Sequence, residues 1–100
     1  QEVFVVVEQA PVLKGGYASL LNAIQYPDKA RANNIEGRVF VQFIIDTEGK
    51  VRNPEVIRGI GYGCDEAALE AVKQLEFEPG MQRGRLVHVR YSLPIVFKLQ

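Results

Sequence analysis

The chain has 100 residues, 47% of them apolar and 24% charged, which is the balance of one small globular domain. Twelve basic and twelve acidic side chains cancel, which removes any general attraction to nucleic acid or to an anionic membrane. A single cysteine, Cys64, excludes an intramolecular disulfide, and no apolar run approaches membrane-spanning length.

The chain starts at Gln1 without a methionine, as expected of a piece excised from a longer protein whose anchor or targeting signal lies outside it. Val3-Phe4-Val5-Val6-Val7 is apolar on both faces and reads as a short strand ended by Pro11. Being terminal, it reads equally as a frayed arm. Residues 1–14 are therefore set apart as an N-terminal strand or arm, and 15–100 as the domain. After Gly15-Gly16, Leu20, Leu21 and Ile24 recur at helical spacing over Tyr17 to Ile24. Pro27 suits the first position of a second helical piece, and Asp28 behind it complements the helix dipole. Asn33-Asn34 supplies a left-handed cap, with Ile35 folding back over it. The two pieces form one broken helical element.

Arg38 to Ile45 alternates and reads as the first sheet strand, with Val39, Val41, Phe43 and Ile45 on one face. Asp46-Thr47-Glu48-Gly49 makes a hairpin connection, Gly49 being free to take a positive φ. The next strand, Val51 to Arg58, changes phase across Asn53-Pro54, which predicts a bulge there. Gly59, Gly61 and Gly63 form a loop, and Asp65 and Glu66 open a helix whose narrow apolar face is Ala68, Ala71, Val72 and Leu75. Pro79 is expected to stop that helix, and Arg83-Gly84-Arg85 to turn the chain into the last strand.

That strand is the longest alternating stretch. Val87, Val89, Tyr91, Leu93, Ile95, Phe97 and Leu99 fall at odd positions, with His88, Arg90, Ser92, Pro94 and Lys98 between them and one apolar exception, Val96. Period-two alternation over this length predicts one half-buried strand with the odd residues turned to the core. Pro94 has no N–H to give a neighbour, so the strand belongs at an edge. An edge strand is a template for an incoming extended peptide. The elements assemble as an α+β domain, a three-stranded antiparallel sheet with helices packed on one face, plus the short N-terminal strand or arm. The hairpin makes the first two strands neighbours, and the third is expected on the free side of the second.

Chemistry finds little footing. One histidine and one cysteine supply no triad, and a lone outward His88 reads as a solvated residue. Cys64 beside Gly63 at a helix start has two readings, a thiol of lowered pKa or a buried small hydrophobe, and the second has more weight. No metal site is expected without a Cys-x-x-Cys or a second histidine, and no cofactor. The glycines between 59 and 63 lack the Lys and Ser or Thr of a phosphate loop. Asp46 and Glu48 suit turn chemistry, and Arg83, Arg85 and Arg90 an ordinary solvated face. An exposed Phe40 is the one feature that suggests base stacking, against which the neutral charge weighs. A self-association module is a further alternative, with the Val3–Val7 arm pairing on the open edge of its own or another copy and so competing with a ligand.

Spaced signatures along the chain resemble the C-terminal domain family of TonB. Tyr26-Pro27 with Ala30-Arg31 is similar to the family's opening. Ile35-Glu36-Gly37 with Val39, Val41 and Phe43 is similar to its first strand, and Asp46 with Gly49-Lys50-Val51 to its hairpin. Asp65, Ala67-Ala68, Ala71-Val72 and Phe77-Glu78-Pro79 are similar to its second helix and exit. Gly84, Val87, Val89, Tyr91, Pro94-Ile95 and Phe97 are similar to its last strand. Upstream, Pro11 and Gly15-Gly16 look most like the Bacteroidetes-type branch. Cys64 departs from the pattern, standing where a leucine is expected.

The resemblance implies a non-enzymatic periplasmic domain, normally tethered to the inner membrane by a segment absent from this chain. Such a domain captures the TonB box of an outer-membrane transporter by strand addition. It passes on force from inner-membrane motor proteins through the missing N-terminal part. The alternative is a TonB-like self-association or docking module at the end of an envelope sensor or peptidase. A homodimer through the arm or the last strand belongs to the same expectation. The candidate partner-binding residues are Arg90, Ser92, Pro94 and Val96 on the free edge, with Gln25 and Tyr26 as side chains at its flank. An equally fair reading packs Tyr26 in the core. Alternation of N–H and C=O along an antiparallel strand then gives a test. Amide exchange in the free monomer is expected to be fast at Ser92 and Val96 and slow at Ile95; the opposite pattern reverses the assignment.

Overall fold

The structure, a computed structural model, describes residues 2–100. In chain order it contains β1 (Val3–Phe4), β2 (Val12–Leu13), α1 (Gly16–Ala23), α2 (Asp28–Ala32), β3 (Gly37–Ile45), β4 (Val51–Arg58), α3 (Cys64–Lys73), β5 (Phe77–Glu78), β6 (Gly80–Gln82) and β7 (Arg85–Phe97). The long strands β7, β3 and β4 make a three-stranded antiparallel sheet, extended at its ends by β1 and β6.

β3 is the middle strand. Val39, Val41, Phe43 and Ile45 are buried beneath the helices, joined by Ile95 and Phe97 from β7. Ala68, Ala71 and Val72 of α3, with Leu75 just past its end, complete that layer with Leu20 and Ala23 of α1. Fully burying side chains of this size contributes about 1.5–3 kcal/mol each for the larger ones, so the odd face of the sheet carries the fold. The even face, with Arg38, Phe40, Gln42 and Ile44, lies opposite the helices.

The expected pairing of the third long strand with the second is overturned. β7 lies against β3, with Gly37 opposite Phe97 at one end and Ile45 opposite Val89 at the other. Proline supplies the reason. β4 carries Pro54 and β7 carries Pro94, so neither can donate a full ladder on both sides. β3 has no proline and takes the centre.

β4 is also irregular. The predicted bulge at Asn53-Pro54 is present: the register against β3 slips between Gln42 and Ile44, and Asn53 has φ +51°. A second slip leaves Ile57 extra between Val56 and Arg58, which alternation alone did not reveal.

The helix boundaries follow local signals with two corrections. Asn34 is left-handed (φ +54°) and the Ile35 N–H returns to the Ala30 carbonyl at 2.9 Å, as expected. Pro27 caps α2 rather than occupying its first turn, with extended ψ 140°. α3 ends at Lys73, not at Pro79. Strand-like contacts capture the chain first: the Phe77 N–H donates to the Gly49 carbonyl (2.9 Å), and Glu78 lies opposite Val12. The exit segment thus pins the β3–β4 hairpin, and so close that a Cβ on Gly49 would fall 1.9 Å from the Phe77 carbonyl oxygen.

The N-terminal segment is only partly a free arm. Val3–Phe4 pairs in parallel with β7, and residues 8–14 lie along 76–83 through β2 and a Gln9–Met81 bridge.

Asp46 organises the hairpin turn. Its buried carboxylate accepts from the backbone N–H of Glu48 (2.8 Å) and Lys50 (2.9 Å) and from Arg52 Nε (2.7 Å). Burial on its own would raise this carboxyl; the Lys50 N–H, the Arg52 guanidinium and the Glu48 N–H outweigh it and hold the group below the ordinary aspartate range. A depressed native pKa contributes stability that is present above the unfolded value and lost as pH falls through the native one. Asp46→Asn is expected to cost about 1–2 kcal/mol at neutral pH. In urea titrations its deficit should shrink as acid protonates the native carboxylate; a deficit independent of pH contradicts this.

Candidate functional site

Two sheet edges lack a strand along most of their length among the described residues: the outer side of β4 and the outer side of β7 beyond Val89. Asn53, Pro54 and the extra Ile57 interrupt the β4 edge, so a regular extended chain finds no continuous row of partners there. The β7 edge has no register slip against β3 from Val89 to Phe97. It is the continuous template.

Pro94 orients that edge. It stands opposite Phe40 and has no N–H, so this is a pair without mutual hydrogen bonds. Alternation then points the backbone groups of Val89, Tyr91, Leu93, Ile95 and Phe97 at β3. Those of Arg90, Ser92, Pro94 and Val96 point outward. The same four residues are exposed, whereas Ile95 and Phe97 are buried. β7 is held from beneath by an aromatic cluster, Tyr91 lying 5.8 Å from the Phe43 ring centre and 5.7 Å from that of Phe77. These contacts fix the strand from one face and leave its outer edge uncovered.

The even face beside this edge is apolar and basic. Val96 has Arg38 as its neighbour, Pro94 has Phe40 with Arg58 beyond, and Arg90 has Ile44 with Arg52 beyond. Arg38, Phe40 and Ile44 were missed as site neighbours because the sequence reading set β7 beside β4. Pro54 was the available signal: it marks β4 as an edge and leaves β3 as the long strand against which β7 can lie.

The structure does not bring all six candidate residues together. Arg90, Ser92, Pro94 and Val96 form one line along β7. Gln25 and Tyr26 lie on the helix side, in a separate groove of about 570 Å³ lined also by Pro27, Asp28, Glu66 and Glu70. Tyr26 is packed. Its ring meets Phe97 edge-on at 5.5 Å, its hydroxyl donates to the Ile35 carbonyl, and the Arg31 guanidinium stacks 4.9 Å from its ring centre. Burial raises the phenol pKa, as do the nearby Cys64 and Glu36, against Arg31. Tyr26 therefore touches the underside of β7 through Phe97.

Cys64 is fully buried at the start of α3. Burial pushes its thiol up, and Asp65 and Glu66 push the same way, so the activated-thiol reading fails. Among the described residues no three His, Cys, Asp or Glu side chains converge as a metal site. No helix there is long and apolar enough to cross a membrane.

The fold and its one uninterrupted edge define a class, the α+β domains whose antiparallel sheet keeps a regular edge open. The family model for the Gram-negative bacterial TonB protein C-terminal region matches residues 22–99, and the chain belongs to that family. It is 36% identical over 77 residues to protein TonB of Vibrio cholerae and 30% identical over 76 residues to protein TonB of Pseudomonas aeruginosa. Those matches cover 76% and 75% of this chain but span only 32% and 22% of the two relatives. Among solved structures, the TonB C-terminal domain of Pseudomonas aeruginosa superposes with TM-score 0.64 at 29% identity, covering 77% of this chain and 79% of that one. The Helicobacter pylori TonB C-terminal domain gives TM-score 0.60 at 27% identity, covering 81% and 86%.

Proposed function

We propose that this domain binds the TonB box, an extended segment of an outer-membrane transporter, by adding it to the outer edge of β7. In this reading the domain works in the periplasm as the terminal coupler of a longer, inner-membrane-tethered energy transducer. The observation that carries it is the regular, unpaired edge of Ser92, Pro94 and Val96, with Arg90 at its head. Family membership supplies the partner class.

The chemistry is main-chain pairing. Ser92 and Val96 offer both N–H and C=O, Pro94 its carbonyl alone. Each bond contributes about 0.5–1.5 kcal/mol net, from which ordering of the peptide subtracts, so affinity is expected at about micromolar or weaker. That range suits a coupler that must engage and release. Under tension, force enters along the strand axis, and β7 passes it to the core through Tyr91, Ile95 and Phe97. The side chains flanking the edge, Val96 beside Arg38 and Pro94 beside Phe40, supply selectivity. Tyr26 and Gln25 serve from the helix side, Tyr26 by bracing Phe97.

Val96→Pro is the sharpest variant. It deletes an outward donor and puts a pyrrolidine on the edge while leaving every bond to β3 in place. Titrating a labelled TonB-box peptide and following backbone amide shifts, we expect saturable shifts at Ser92 and Val96 in the parent. In Val96→Pro the affinity should fall about tenfold, with the urea midpoint nearly unchanged. Equal affinity in the two proteins contradicts edge docking.

A further inference from the structure

We propose that the N-terminal segment is a hinged stop. Its β1 strand covers the upstream end of the docking edge and limits the incoming peptide to the stretch from Arg90 to Val96. This rests on the strand-addition reading above.

The sheet order places β7 between β1 and β3, so β1 lies on the edge assigned to the peptide. Val3 stands opposite His88 and Phe4 opposite Val89, in parallel. Bonds in a parallel ladder slant. A strand in this register therefore takes the outward groups of His88 and reaches toward those of Arg90. The arm and the peptide meet at one residue.

The arm does not continue along the edge, although its composition suits it to do so. Val5 and Val6, the next residues, are 70% and 83% exposed. The cause is the firm attachment that follows. Gln9 and Met81 exchange two backbone bonds (3.0 and 2.9 Å). The Glu8 N–H donates to Gln82 Oε1 (2.9 Å), and the Glu8 carboxylate accepts from the Arg83 N–H (2.7 Å). Pro11 is buried against Gly80, where a Cβ would lie 3.3 Å from the proline ring and 2.7 Å from Val89. The segment from Glu8 onward is thus fixed on β6, and residues 5–7 bridge from there to a two-residue strand. β1 is the loosely held end of a tethered flap.

Two consequences follow from the register. A peptide short enough for the open stretch docks without disturbing the arm. A longer one must strip Val3 and Phe4 from β7 before it reaches His88 and Leu86. The arm also blunts the upstream edge against pairing with other chains.

The test uses the full chain, a Phe4→Pro variant that removes a donor within β1, and two probes. These are blocked peptides of alternating threonine and valine, five and eleven residues long. Slow exchange at the Gln9 and Met81 amides shows that the tether survives the substitution. In the parent protein both peptides should bind alike. In Phe4→Pro the eleven-residue peptide should gain about threefold or more in affinity, from roughly one additional bonded pair. Only it should then move the Leu86 and His88 amides, the five-residue peptide being unchanged. An eleven-residue peptide with unchanged affinity and silent Leu86 and His88 overturns the stop. Failure of the five-residue peptide to shift Ser92 and Val96 in either protein overturns edge docking, and the stop with it.

Discussion

Two missing N–H groups set the layout of this sheet. Pro54 and Pro94 each deprive a long strand of one ladder donor, and a strand so deprived is stable only where the gap faces outward or falls at a bulge. β3, free of proline and buried along its odd face, is left as the strand able to bond on both sides. From that constraint comes the order β7-β3-β4, and from the order comes an outer edge on β7. The two edges it creates differ in regularity. On β4 the proline sits within a broken register, whereas on β7 it sits within a regular one.

The rest of the molecule supports that arrangement. α3 and α1 cover the odd face, Asp46 closes the β3–β4 hairpin, and the exit segment from Glu76 to Gln82 ties the hairpin to the N-terminal residues. Force applied along β7 meets a strand whose inner side chains interlock with Phe43 and Phe77. Its outer side stays available to a partner. The contacts that hold β7 to the core and the backbone groups it leaves open thus lie on different sides of one strand.

Much of this was legible in residue order alone. The alternation from Val87 to Phe97, the turn at Asp46–Gly49, the bulge at Asn53-Pro54 and the cap at Asn34 are short-range signals, and each appears where its local chemistry requires. The failures concern partners distant in sequence. The β3–β7 pairing depends on comparing two prolines forty residues apart. Pro79 alone predicts a later end for α3, although contacts with Gly49 and Val12 redirect the chain earlier. Gln9 meets Met81 across the whole domain, which no local pattern announces. Tyr26 was ambiguous for a physical reason: an aromatic ring with a hydroxyl suits a wet flank or a packed interface equally well. Here the Ile35 carbonyl and the Phe97 ring decide for packing.

Isotope-filtered Overhauser contacts between an unlabelled TonB-box peptide and the labelled domain address the central claim most directly. The account predicts cross-strand contacts from the peptide backbone to Ser92 and Val96, with regular two-residue spacing. Contacts confined to the groove of Gln25, Glu66 and Glu70, or to the outer side of β4, would contradict it.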